Sequence, residues 1–230
     1  MRPRIAVIGM GGSISTPGRH ALDLHEYGQF AKPLPVDDVL SMFSDVLRAF
    51  DVVPVAFDAV DSAAADPLLW LKLNRTIARV AADSDLSGIV VLHGTSTLEE
   101  TAYFLHLAAK TALPIVLVAA QRPPTGLGSD SGSNLVNALR VAAAPSARSV
   151  GVLVVMNDEL HCARDVSKAS NFRLDAFRTP DMGVLGSIDP DGTVSIYRKP
   201  TRRHAPDTTF DVLALETLPA VEVAYSYAGA

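Results

Sequence analysis

Apolar positions follow two rhythms along this chain. Unbroken runs at Ile5–Ile8, Val52–Phe57, Gly88–Leu92, Pro114–Ala119 and Val150–Met156 end at glycines or small polar residues. Runs of that kind read as strands buried on both faces. Between them the period lengthens to that of a helix. Val39, Met42, Phe43, Val46, Leu47 and Phe50 make one apolar stripe behind Leu34-Pro35-Val36-Asp37-Asp38. Leu69, Leu73, Ile77 and Val80 make a second, opened by Pro67 in a first-turn position. Leu98, Thr101, Ala102, Leu105 and Ala109 make a third, and Leu135, Ala138, Leu139 and Ala142 a fourth. Strands alternating with helices predict an α/β fold with a mostly parallel sheet, right-handed crossovers and helices on both faces.

The rhythm breaks beyond Asp165. Gly183–Tyr197 reads as a C-terminal β-hairpin turning at Pro190-Asp191-Gly192. Lys199–Pro219 has three prolines and no period, so it reads as a linker, and Val221–Tyr225 reads as a new strand. The expected organisation is a catalytic α/β domain over 1–200, a linker over 201–220, and over 221–230 the opening of a second, small α/β domain. Thr97-Leu98-Glu99-Glu100 has the form of a capping box for the third helix.

Composition narrows the function. A net charge of −5 over 230 residues gives no phosphate-binding surplus of Lys and Arg, so no nucleic acid is expected as a partner. The one basic cluster, Arg198, Lys199, Arg202 and Arg203, reads as solvated linker. Cys162 is the only cysteine, which excludes an intrachain disulfide and a Cys-based metal site; it reads as a buried small residue. No signal peptide or membrane-length apolar run is present, so a cytoplasmic location without membrane contact is expected. His93, His106 and His161 lack metal-ligand spacing and read as structural, with His93 packed at a strand end and His106 on the exposed side of its helix. Trp70 reads as core. Gly9-Met10-Gly11-Gly12 lacks the dinucleotide fingerprint, and no P-loop lysine follows.

The chemistry gathers in two turns that follow strands, Gly11-Gly12-Ser13 and Gly94-Thr95-Ser96-Thr97. Open α/β sheets place ligands at such strand ends. An amide hydrolase needs a nucleophile, a proton acceptor and dipoles facing the oxyanion. Ser13 and Thr95 offer hydroxyls, and Lys168 becomes a base if burial lowers its pKa. Each residue also has a plain reading: a turn or phosphate cradle at Gly11-Gly12-Ser13, helix capping at Ser96 and Thr97, a surface charge at Lys168.

Met10-Gly11-Gly12-Ser13-Ile14-Ser15 and His93-Gly94-Thr95-Ser96-Thr97-Leu98-Glu99-Glu100-Thr101-Ala102 resemble segments of the bacterial-type L-asparaginases. So do Ala120-Gln121-Arg122-Pro123, Ser129-Asp130 with Asn134-Leu135, Gly151–Asp158, Ala163–Lys168 and Leu218–Val221, which together span nearly the whole chain. The resemblance implies hydrolysis of a small amide through an acyl-enzyme, with ammonia released and no metal or cofactor. It places the first nucleophile on Ser13, a mobile-loop tyrosine on Tyr27, the second hydroxyl on Thr95 and its lysine on Lys168. Substrate contacts fall on Ser62, Ser96, Gly12, Gly94, Ala120 and Gln121. A homo-oligomer, dimer or tetramer, is implied when the second domain is present.

Two departures bear on chemistry. Ser13 stands where the family has threonine, which keeps the hydroxyl but frees χ1. Ser96 stands where the family has an aspartate facing the substrate's α-ammonium. A desolvated ammonium without a partner is costly, which points to an amide or lactam lacking the α-amino group; L-asparagine, which the resemblance implies, stands beside it as the other expected substrate. The alternative is a degraded family member that binds a small molecule without turnover.

Overall fold

The computed structural model describes residues 2–229. Five strands, β1 (Arg4–Gly9), β2 (Asp51–Val55), β3 (Gly88–Leu92), β4 (Ile115–Val118) and β5 (Val152–Met156), lie parallel in the order β2-β1-β3-β4-β5. Three antiparallel strands complete the sheet of eight beyond β5: β6 (Glu159–Cys162), then β9 (Gly186–Ile188) and β10 (Val194–Ile196). A separate two-stranded ribbon pairs β7 (Ser167–Lys168) with β8 (Phe177–Arg178). The expected hairpin at 183–197 is therefore present, and it extends the main sheet.

The strand pattern has a direct physical origin. Ile5, Val7, Val90, Leu92, Val116, Val118, Leu153 and Val155 face one side, against helices α2 (Val36–Met42) and α5 (Ser131–Ala143). Ala6, Ile8, Ile89, Val91, Ile115, Leu117, Val152 and Val154 face the other, against α3 (Pro67–Val80) and α4 (Leu98–Ala108). With both faces covered, no position along β3, β4 or β5 meets solvent, which is why the sequence there is unbroken apolar. Pro67 opens α3 as expected, and Asp66 caps it by accepting from the Leu69 amide at 2.8 Å.

Several expectations need correction. The stripe from Val39 to Phe50 does not make one helix: α2 ends at Met42, and residues 43–50 turn instead. Phe43-Ser44-Asp45-Val46 are all weak helix formers, and of the later stripe only Leu47 is buried, while Met42 and Val46 are exposed. The capping box does not close: the Thr97 hydroxyl is turned toward the Ser62 carbonyl, to which it donates (2.6 Å), and it accepts no amide of α4. Val221–Tyr225 belongs to no strand and is exposed. The 201–220 segment has no regular structure, yet it is not free. Ala205 is buried with its N–H on the His106 carbonyl, Lys110 donates to the Thr208 carbonyl, and Arg75 donates to those of Leu213 and Leu215. In the basic cluster, Arg198 pairs with Asp165 at 3.5 Å, whereas Lys199, Arg202 and Arg203 are exposed.

His106 is overturned outright. It is fully buried, because the segment around His204 covers the flank of α4 that periodicity leaves to solvent. Its Nδ1 accepts from the Val152 amide at 3.2 Å, and burial brings its pKa down to about 4. No helix among the described residues is long and apolar enough to cross a membrane.

Close packing of backbone on backbone gives a stability prediction. A Cβ on Gly88 would run into the Ala142 carbonyl of α5, whereas one on Gly28 would meet nothing within 4 Å. Overpacking of this kind costs about 1–3 kcal/mol, and each kcal/mol moves the melting midpoint of a chain this size by about 2–4 °C. Gly88→Ala is therefore expected to melt several degrees low, and Gly28→Ala at or slightly above the parent, in thermal unfolding by circular dichroism.

Candidate active site

The sheet order creates the site. From β1 the chain runs through α2 to β2 on one side, and β3 lies on the other side of β1. The helix after β1 packs on one face and the helix after β3 on the opposite face. Adjacent strands whose following helices diverge leave a crevice at their carboxyl ends, where open α/β sheets bind ligands. Ser13 follows β1 and Thr95 follows β3, so both hydroxyls fall at that crevice.

Two glycines let the loops meet. Gly12 has φ 82°, and a Cβ there would collide with the Cα and amide of Gly94. A Cβ on Gly94 would lie 2.5 Å from Ser62 Oγ. Side chains at either position would drive the hydroxyl loops apart. A neutral histidine steadies the second loop. His93 is buried, its pKa lowered to about 4 by desolvation. Its Nδ1 contacts the Gly94 carbonyl at 2.7 Å and its Nε2 the Thr101 hydroxyl at 2.9 Å, which in turn accepts from Trp70 Nε1 at 2.9 Å. With Nδ1 carrying the proton, every member of that chain is satisfied. Trp70 is half-buried rather than core.

A cavity of about 660 Å³ opens over these loops, lined by Gly12, Ser13, Tyr27, Ser62, Gly94, Thr95, Ser96, Gln121 and Lys168 among others. Nine of the ten sequence-predicted site residues thus border one space. Ala120 is the exception: its side chain is fully buried in the core on the α5 side and does not border the cavity. Tyr27 lies on the short helix α1 (Tyr27–Phe30), its hydroxyl 2.5 Å from Ser13 Oγ, with burial holding its pKa above the ordinary tyrosine value. Lys168 Nζ donates to Thr95 Oγ1 at 2.7 Å. Burial pushes the Lys168 pKa down, and the nearby Glu99 carboxylate partly opposes this. Glu99 also accepts from the Lys168 backbone amide, which ties the small ribbon to the start of α4.

Ser62 links a third loop to the site. Its Oγ accepts from the Ser96 amide at 3.1 Å, and its carbonyl accepts from Thr97. Gln121 is 8% exposed and its Nε2 has no protein partner. Its backbone is fixed by Asp130, whose buried carboxylate accepts the amides of Gln121 and Arg122 and the side-chain amide of Asn134.

Sequence reasoning did not single out Asp61 and Arg122, which also line the cavity, or Asp130, which shapes it. The position of Asp130 just ahead of Ser131 suggests a helix cap, yet its carboxylate caps no amide of α5 and serves the Gln121–Arg122 loop instead. Nothing in the local pattern marks Asp61. Among the described residues no cluster of three His, Cys, Asp or Glu side chains could hold a metal ion. His161 is buried against Thr179, and Cys162 is buried as expected.

The family described as Asparaginase, N-terminal matches residues 4–202. A glutaminase-asparaginase of Pseudomonas fluorescens biotype A is 38% identical over 97% of the chain and 60% of its own length. L-asparaginase 2 of Bacillus subtilis is 37% identical over 98% of the chain and 59% of its own. A crystal structure described as a probable cytoplasmic L-asparaginase from Campylobacter jejuni superposes with a TM-score of 0.90 at 35% identity, over 99% of the chain and 68% of that structure. The chain thus spans about 60% of the length of these curated relatives. A family model over most of the chain, with a fold and a sequence that align with these proteins, places the chain in the asparaginase family, to which it belongs through the family's N-terminal domain.

Proposed function

We propose that this chain carries the nucleophilic half of an amidohydrolase that releases ammonia from a small amide. The observation that carries this reading is the pairing of Lys168 Nζ with Thr95 Oγ1 in a cleft where burial disfavours the lysine's charge. A lysine with a lowered pKa spends more of its time neutral, and a neutral amine takes protons through a hydroxyl it touches. Ser13 is assigned the attacking hydroxyl, following the family correspondence, with Tyr27 on its oxygen. Ser13 Oγ bonds to the amide carbon, its proton passes to the departing nitrogen, and the C–N bond breaks with release of ammonia. Water then attacks the ester, losing a proton through Thr95 to Lys168; the bond from Ser13 Oγ to the acyl carbon breaks, the acid leaves, and that proton returns to Ser13 Oγ. The α4 N-terminus immediately behind Thr95 favours negative charge in the cleft.

Ser96 borders the cleft without a charge, which supports a second substrate reading: an amide or lactam lacking the α-amino group. The names of the relatives support L-asparagine or glutamine. The cytoplasmic location named for the Campylobacter jejuni relative supports a cytoplasmic setting. The exposed Val221, Val223, Tyr225 and Tyr227 are proposed as surface that meets a second domain and, through it, other subunits.

Ammonia release over asparagine, glutamine, succinamate and cyclic amides tests the reading, and tight binding with no turnover of any would refute it. Ser13→Ala is expected to abolish ester formation with a reactive acyl analogue, as read by intact-protein mass. Lys168→Met is expected to slow turnover by about 10²–10⁴-fold; unchanged turnover would remove Lys168 from the mechanism. The pH dependence has a definite sign. Lys168 serves as base only when unprotonated, so kcat/KM falls as pH drops through its pKa, which lies below that of an ordinary lysine. Glu99→Gln removes the charge that raises this pKa while leaving an oxygen for the Lys168 amide. The acid limb of the kcat/KM profile should then move to lower pH.

A further inference from the structure

The acids that surround the cleft are not equivalent. Asp23 and Glu26 are both spent on Arg19. Asp130 is filled by two backbone amides and Asn134. Glu99 accepts from the Lys168 amide and, at 3.4 Å, from the Ser167 hydroxyl. Asp61 differs: it borders the cleft, and only one of its oxygens has a protein partner, the Ala63 amide at 3.0 Å. Among the described residues it forms no ion pair. It directly precedes Ser62, whose hydroxyl holds the Ser96 amide. A free carboxylate oxygen therefore lies one residue away from the serine that touches the uncharged Ser96.

Resting on the amidohydrolase reading above, we propose that Asp61 is a specificity-determining residue, supplying the counter-charge for a substrate ammonium that Ser96 cannot provide. Of the cleft's other ionisable walls, Arg122 is cationic, while burial holds Lys168 toward its neutral form. One cation and one anion on a shared cavity complement a zwitterionic amide. A substrate bearing only a carboxylate would gain nothing from Asp61 and be repelled by it. The orphan buried amide nitrogen of Gln121, on the same cavity, independently indicates a polar ligand with an acceptor to offer.

Two substrates that differ only in that amino group, L-asparagine and succinamate, provide the test with the whole protein. The readout is the ratio of their kcat/KM values, since loss of folded protein scales both alike. The parent is expected to prefer L-asparagine, with the preference expressed mainly in KM. Asp61→Asn keeps the contact to Ala63, because Asn caps as well as Asp, but removes the charge. It is expected to lower the ratio by about 10- to 100-fold, the usual worth of a charged hydrogen bond. Adding Ser96→Asp to that variant is expected to restore the preference. A parent that favours succinamate, or an unchanged ratio in Asp61→Asn, overturns the proposal while leaving amide hydrolysis intact. No ammonia from any amide overturns the hydrolase reading itself.

Discussion

The site depends on backbone touching backbone between the loops that follow β1 and β3. A single methyl group at Gly12 would fall on Gly94, and one at Gly94 would fall on Ser62. That steric condition sets how far apart Ser13, Ser62 and Thr95 can be, and it holds before any substrate arrives. The sheet provides the rest: adjacent parallel strands whose helices depart to opposite faces leave a gap that nothing in the core fills. Hydroxyls placed this way need no reorganisation to face one cavity, which is the arrangement that electrostatic stabilisation rewards.

Much of the scaffold was legible because burial on both faces imposes a simple rule on β1, β3, β4 and β5. Each had to be apolar at every position, and each was found within two residues of its ends. Strand β6 escaped notice, although Asn157-Asp158 between two apolar segments was a hairpin signal. Both residues adopt positive φ, 52° and 64°, as a two-residue turn of that twist requires. That omission matters for function, since β6 delivers the chain to the ribbon that carries Lys168. From sequence the lysine could be placed only by resemblance, a dozen residues past a strand. In the structure it is one of two residues in β7, anchored through its own backbone to Glu99.

The side-chain errors share one cause: local patterns do not report which distant segment covers a surface. Periodicity put His106 on the outside of α4, and it would lie there if 204–208 did not pack over it. Thr97 had the sequence of a cap, but its side chain is turned to the Ser62 carbonyl of a distant loop and meets no helix amide. Ala120 neighbours Gln121 in sequence, yet strand alternation turns its methyl group into the core. Asp61 carried no pattern at all, and its interest arises only from what the other acids around the cleft are already bound to.

The stretch from His204 to Leu215 bears on local opening. Its contacts join Lys110 to Thr208 and Arg75 to Leu213 and Leu215, residues 98 to 140 positions apart along the chain. A segment held by few bonds opens at lower cost than the core strands. Shedding this belt would bare the flank of α4 while leaving the crevice between β1 and β3 assembled.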